Sequence, residues 1–300
     1  MELRILQYFL AVAREQSISA AAESLHLSQP TLSIQLKALE EELGKQLLIR
    51  GTKGSRKVLL TDEGMILRKR AEEILTLVQK AKSEVQMTDA SIAGDVYIGA
   101  GETDIIRYFA RAAKRMKKSC PDIRYHISSG NAQFVTEQLD KGLIDFGLMY
   151  GPVDRTKYEA LMLPIGDRFG VLMRRDDPLA QKEWISPEEL RDKPLILSAQ
   201  DRSEGWTVSS QIRQDVSHLN VAATYNLIFN ASLMVEEGLG YAVCLDKLIN
   251  TSGDSQLCFL PLRPEIVITP SIVWKRYQVF SKASERFLQE LTSVMDLPQK

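Results

Sequence analysis

Residues 17–61 read SISAAAESLHLSQPTLSIQLKALEEELGKQLLIRGTKGSRKVLLT. Ser17 or Ser19 can cap a short helix through the alanines 20–22, a run slim enough for another helix to cross closely. His26 and Leu27 make a turn, and Ser28 caps the next helix, whose first turn tolerates Pro30. In that helix Leu32, Leu36, Leu39 and Leu43 fall within about 60° on a 3.6-residue wheel and read as core. Upstream, Leu3, Leu6, Leu10 and Ala13 give a first helix with one apolar face. The pattern is two braced helices joined by a tight turn, a unit that can offer one helix to a duplex major groove.

The face opposite the leucine stripe carries the chemistry. Pro30, Ser33, Ile34, Lys37 and Glu41 gather there, with Gln29 on the flank. Gln29 can pair with adenine, Ser33 with either kind of base, and Ile34 can touch a thymine methyl, while the N-terminal N–H groups suit a phosphate. An ordinary solvated face is the plain alternative, and Ile34 fits it poorly. After Gly44, extended segments at Leu47–Ile49 and Val58–Leu60 flank a tip in which Arg50, Lys53, Arg56 and Lys57 are all positive. A basic hairpin directly after such a helix reads as a wing for phosphates or a narrow minor groove.

With FLAVAREQSISAAAESLHLSQPTLSIQLKALEEELGKQLLIR followed by LLTDEG, the chain resembles the LysR-type transcriptional regulators. The resemblance implies an α/β protein in three parts. These are a winged helix-turn-helix at 1–60, a long linker and dimerisation helix at 61–90, and a two-lobed periplasmic-binding-protein-like effector domain at 91–300. Lobe one would comprise about 91–162 and 266–300, and lobe two about 163–265. It also implies that Gln29, Pro30 and Ser33 lie at base edges, with Ser28, Thr31, Lys37, Arg50, Lys53 and Arg56 near the backbone or minor groove. The position of Ile34 is often arginine in that family, so a direct charged contact is not expected there. Implied partners are double-stranded promoter DNA, a non-covalent small-molecule effector, RNA polymerase, and a second copy of the chain, with dimers pairing into tetramers.

Composition agrees. The 300 residues carry a formal charge of −1, so positive charge must be concentrated locally for DNA to be bound. No apolar run is long enough to span a bilayer, and the N-terminus reads as a folded helix rather than a signal peptide, so cytoplasmic residence is expected. Cys120, Cys244 and Cys258 lack metal spacing and are expected to be reduced thiols. No metal or cofactor is expected.

Thr61 caps a long helix in which Leu67, Ala71, Ile74, Val78, Ala81 and Val85 alternate four- and three-residue steps, the seam of a short coiled coil. The same stripe would suit a helix packed on a globular domain. From residue 93 strands and helices alternate, which predicts parallel sheets covered by helices. Strands are expected at 95–99, 123–127, 144–149, 169–173, 195–198, 221–225, 241–244, 257–260 and 267–274, with helices at 103–118, 131–141 and 281–295.

Ligands of such lobes sit at strand carboxyl ends in the crevice between them. The candidates are Gly101, Glu102, Thr103, Ser128, Ser129, Gly130 and Tyr150 from the first lobe, and Ala199, Gln200, Asp201, Asn226 and Phe229 from the second. Each is also a plausible turn or cap residue. Helix starts at Thr103 and Asn131 suit an anion, whereas Glu102 would repel one unless paired and would favour a cationic or hydroxyl-bearing effector. Enzymatic signatures are weak: Gly99-Ala100-Gly101 lacks the third glycine of a dinucleotide loop, there is no GxSxG or phosphate-loop lysine, and His26, His126 and His218 are scattered. Catalytic residues are therefore not expected.

Overall fold

The computed structural model describes residues 1–51, 57–85, 92–199 and 219–295. Lys53, Arg56, Gln200 and Asp201 lie outside them. The chain divides into two compact units, 1–86 and 87–300.

In the first unit α1 (Leu3–Glu15) buries Leu6, Phe9, Ala11 and Val12. The apolar face is rotated from the expected one: Phe9 fills the core, while Leu3 is exposed and Leu10 and Ala13 are half-buried. The Ser17 hydroxyl accepts from the Ala20 N–H to cap α2 (Ile18–Ser24), and the Ser28 hydroxyl accepts from the Thr31 N–H to cap α3 (Gln29–Leu43). Leu32, Leu36 and Leu39 close the core. Leu43, expected in the same stripe, is exposed, because the helix ends at left-handed Gly44 (φ 63°). There the Lys45 N–H bonds the Glu40 carbonyl and the Gly44 N–H that of Glu41, satisfying two end carbonyls. The wing strands β1 (Leu48–Arg50) and β2 (Val58–Leu60) are antiparallel, Leu48 opposite Leu60, and the Val58 N–H ties the hairpin to the Gln16 carbonyl.

Thr61 caps α4 (Asp62–Val85) by accepting from the Gly64 N–H at 3.0 Å, while its hydroxyl donates to the Gln46 carbonyl. Leu67 packs on the core, Ala71 is fully buried, and α4 lies along α1. The linker helix, expected as a separate segment, thus belongs to the first unit. The expected seam is split accordingly: its start is used inside this unit, Ile74 and Val78 are half-buried, and Ala81 and Val85 are exposed.

The second unit holds a five-stranded and a six-stranded sheet. In the first lobe the order is β4 (Ile123–Ser129), β3 (Gly94–Ala100), β5 (Phe146–Met149), β13 (Ser271–Lys275), β6 (Tyr158–Met162). On one face α5 (Ile106–Met116) and α8 (Lys282–Met295) bury Phe109, Phe146 and Phe287; on the other, α6 (Ala132–Asp140) buries Val135 and Leu139. In the second lobe the order is β11 (Leu257–Pro261), β7 (Asp167–Arg174), β10 (Tyr241–Leu245), β8 (Leu195–Ser198), β9 (Val221–Tyr225), with α7 (Ile228–Glu236) covering one face.

The sheets are mixed rather than parallel. β3 pairs in parallel with β4 and β5, and β8 with β9 and β10, as alternation predicts. The strands beside the crossings reverse direction: β13 is antiparallel to β5 and β6, and β7 to β10 and β11. The expected single strand at 267–274 is two. β12 (Val267–Ile268) pairs with the start of β7, the chain turns at Thr269-Pro270, and β13 enters the other sheet. Gly166 sits at this double crossing, where a Cβ would lie 2.7 Å from the Ile268 carbonyl oxygen. The three cysteines are free, and burial pushes the Cys244 thiol up to about 12. Among the described residues no helix is long and apolar enough to cross a membrane, and no acidic, His or Cys cluster suits a metal ion.

Candidate nucleic-acid interface and ligand crevice

On α3 the N-terminal face stands clear of the unit. Gln29, Pro30 and Thr31 are exposed, Ser33 is half-buried, and Ile34 is 66% exposed although no core partner requires an apolar residue there. The Ser28 hydroxyl is engaged as the helix cap and lies 2.7 Å from that of Thr31, so it orients the first turn. One turn on, Lys37 is exposed and pairs with Glu41 at 3.5 Å. Arg50 extends from β1, and here a residue outside the expected set takes part. Glu40, on the inner side of α3, accepts from the Leu47 and Leu48 N–H groups through Oε1 at 2.8 and 3.0 Å and pairs with Arg50 through Oε2 at 3.1 Å. One carboxylate therefore joins helix to wing. In sequence it is one of three consecutive glutamates, and nothing local distinguishes it.

In the second unit a cavity of about 140 Å³ opens between the lobes. Gly101, Glu102, Gly130, Tyr150 and Asn226 line it, as expected. Other expected residues do not reach it. Ser128 and Ser129 are exposed at the end of edge strand β4, Ala199 lies beyond the wall, and Phe229 is 63% exposed on the outer side of α7. Thr103 is buried behind the wall, because α5 begins at Ile106 rather than Thr103. Its hydroxyl accepts from the Ile105 N–H and donates to Asp167 Oδ2 at 2.6 Å. The wall that sequence did not indicate is largely apolar: Phe169, Leu197, Val243, Leu245, Leu248 and Ile268, with Tyr225, whose hydroxyl donates to the Val243 carbonyl. All but Leu248 lie in strands, where an inward side chain reads the same whether it meets core or cavity.

Among the described residues, two carboxylates, Asp167 and Glu102, accept hydrogen bonds from the opposite lobe. The Tyr150 hydroxyl, like that of Thr103, donates to Asp167 Oδ2, so two first-lobe residues hold the carboxylate that begins β7. Burial raises Asp167 above the usual carboxylate range; the hydrogen bonds from Thr103 and Tyr150 oppose the rise, the Asp104 charge adds to it and Lys247 opposes it weakly, while Tyr150 is likewise pushed up, chiefly by burial. Glu102 makes the other contact, accepting through Oε2 from the Ile228 N–H at the start of α7. The cap position of that helix is Leu227, which offers no side-chain acceptor, so the first lobe supplies the cap. The helix start at Asn131 is closed by its own side chain, which accepts from the Phe134 N–H at 2.8 Å. Of the two helix starts expected to hold an anion, Asn131 is closed by this bond, and Thr103 precedes α5 with its hydroxyl already accepting from the Ile105 N–H.

Comparison with known proteins follows the two units. Residues 3–65 match the family described as bacterial regulatory helix-turn-helix protein, lysR family, and residues 89–296 match the LysR substrate binding domain. The HTH-type transcriptional regulator AlsR of Bacillus subtilis is 34% identical over 208 residues, 69% of this chain and 66% of its own. A probable RuBisCO transcriptional regulator of a Synechocystis species is 28% identical over 297 residues, 97% of this chain and 84% of its own. Full-length CbnR, solved in complex with its target DNA, shares the fold with a TM-score of 0.74 at 19% identity, covering 98% of this chain and all of that one. The matching families and relatives are transcriptional regulators, not enzymes.

Proposed function

Since the chain belongs to the LysR family of DNA-binding transcriptional regulators, we propose that its promoter binding is controlled by a small molecule held between the lobes of its second unit. The observation that carries this reading is the cavity whose wall comes from both lobes, with Glu102 and Tyr150 on one side and Asn226, Phe169 and Tyr225 on the other. An occupant that prefers one lobe arrangement shifts the population toward it. Coupling of this kind is typically about 1–3 kcal/mol, enough to change occupancy of a promoter without abolishing it.

In this reading Gln29, Pro30, Ser33 and Ile34 read base edges, while Ser28, Thr31, Lys37 and Arg50 settle the unit on phosphates, with Lys53 and Arg56 of the wing tip. The open half of α4, from Ile74 to Val85, pairs two chains, so that two recognition helices address a twofold-symmetric site. The protein works in the cytoplasm as a dimer or tetramer and acts on RNA polymerase at the promoter.

Selection of bound sites from a randomised duplex pool tests the DNA half. The full chain should enrich a motif with twofold symmetry, and Ser33→Ala should relax preference at fixed positions by about 1–3 kcal/mol per base pair. Lys37→Ala should instead weaken all sites alike and reduce the salt slope by about one. Equal loss on selected and scrambled duplexes for Ser33→Ala would remove it from the reading face.

A further inference from the structure

The cavity between the lobes has one formally charged side chain on its wall among the described residues, and that charge is negative. It is Glu102; among the described residues no Lys, Arg or His lines the space. We propose that the effector is a small amine, a protonated nitrogen carried on an apolar body of about one ring, an inference that rests on the effector reading above and names its ligand class.

Size comes first. The volume of about 140 Å³ is close to that of an engineered apolar cavity, about 150 Å³, that accepts benzene. The wall is mostly aliphatic and aromatic, so the body of the ligand is apolar. Charge comes second. The groups that would anchor an anion are already used: the α7 start is capped by Glu102 and the α6 start by Asn131. An anionic ligand would have to displace Glu102 and then face its carboxylate, with the buried Asp167 close behind Tyr150. A cation meets the opposite situation. Glu102 accepts one bond through Oε2, and its other oxygen has no protein donor among the described residues. Tyr150, Phe169 and Tyr225 also line the space, and aromatic rings attract an ammonium group over their faces. Lys247, whose charge acts on Asp167, lines a different hollow, beside Arg107 and Asp246.

Three probes of one shape test this on the full chain by titration calorimetry: benzylamine, benzyl alcohol and benzoate. Benzylamine should bind at least about tenfold more tightly than benzoate. Glu102→Gln should weaken benzylamine by about ten- to a hundredfold, the worth of a charge-assisted bond, and leave benzyl alcohol nearly unchanged. Glutamine can still accept from the Ile228 N–H, which keeps the α7 cap. Should its melting temperature fall nonetheless, Phe169→Leu serves as the second variant and should weaken benzylamine more than benzyl alcohol. Tighter binding of benzoate overturns the amine, as does benzylamine binding that both variants leave intact, or no binding of any probe at about 10 mM. If benzylamine binds as expected but does not change affinity for the selected duplex, the ligand class stands and the control of DNA binding falls.

Discussion

Glu40 does more for the first unit than its place among three glutamates suggests. It accepts the two N–H groups that open the wing and holds the Arg50 guanidinium, with its side chain 15% exposed. Alanine there leaves two amides and one cation without a partner at once. Unsatisfied groups of this kind cost about 1–3 kcal/mol each where water cannot replace the lost partner, and water reaches part of this site. Glu40→Ala should therefore lower the stability of the first unit by about 2 kcal/mol in urea denaturation and weaken DNA binding on matched and scrambled sites alike. Glu40→Gln, which can still accept from the amides, should recover most of the stability but not the Arg50 pair. A DNA affinity that follows Glu40→Gln back to wild type would show that Arg50 does not depend on this pairing.

At the scale of elements, the contact of α4 with the wing base turns on Gly64. A Cβ there would lie 2.2 Å from the Leu47 carbonyl oxygen, which is backbone and cannot swing aside. Alanine is intrinsically the better helix former by about 1 kcal/mol, so the helix alone would gain. The clash decides the sign: Gly64→Ala should destabilise the first unit by about 1–3 kcal/mol in chemical denaturation, and a neutral or stabilising result would mean that α4 does not approach the wing base so closely. The elements that sequence reveals are those specified within a few residues. α2, α3 and α4 carry Ser17, Ser28 and Thr61 as caps and periodic leucines or alanines behind them. Those it hides depend on distant partners. The sequence YEALM of β6 has helix-forming residues and becomes a strand by pairing with β13, more than a hundred residues on. α7 gives no start signal because Leu227 is its cap position and the acceptor is Glu102, 126 residues earlier. The crevice was legible in the same measure: loop residues at strand ends, such as Gly101 and Asn226, were indicated by position, whereas Leu197, Val243 and Ile268 were indistinguishable from core.

Across the whole second unit, the buried Asp167 carboxylate fixes how stability responds to pH. Its folded pKa lies above the ordinary value of 3.8, chiefly because of burial. For an acid shifted upward the folded state binds the proton more tightly than the unfolded one, so stability is greatest below the ordinary value. It declines as pH rises from the ordinary value through the elevated one. Asp167→Asn carries no charge to bury, and its Oδ1 can accept from both Thr103 and Tyr150. Its melting temperature at pH 7 should exceed that of the wild type, with the gap narrowing toward pH 4. A gap that stays constant with pH would show that Asp167 does not titrate differently in the fold.

The insertion of one lobe within the other also sets an order of assembly on the ribosome. β13 lies between β5 and β6, and among the described residues β6 has no other partner in its sheet, yet β13 is completed only at Lys275, after the last strand of the inserted lobe's five-stranded path. The DNA-binding unit and then the inner lobe can reach their strand pairings while the chain is still growing. The outer lobe must wait with an open sheet edge until its final strand and α8 emerge. Nascent chains released before Ser271 would therefore carry an intact reading head attached to a regulatory lobe with a missing stave.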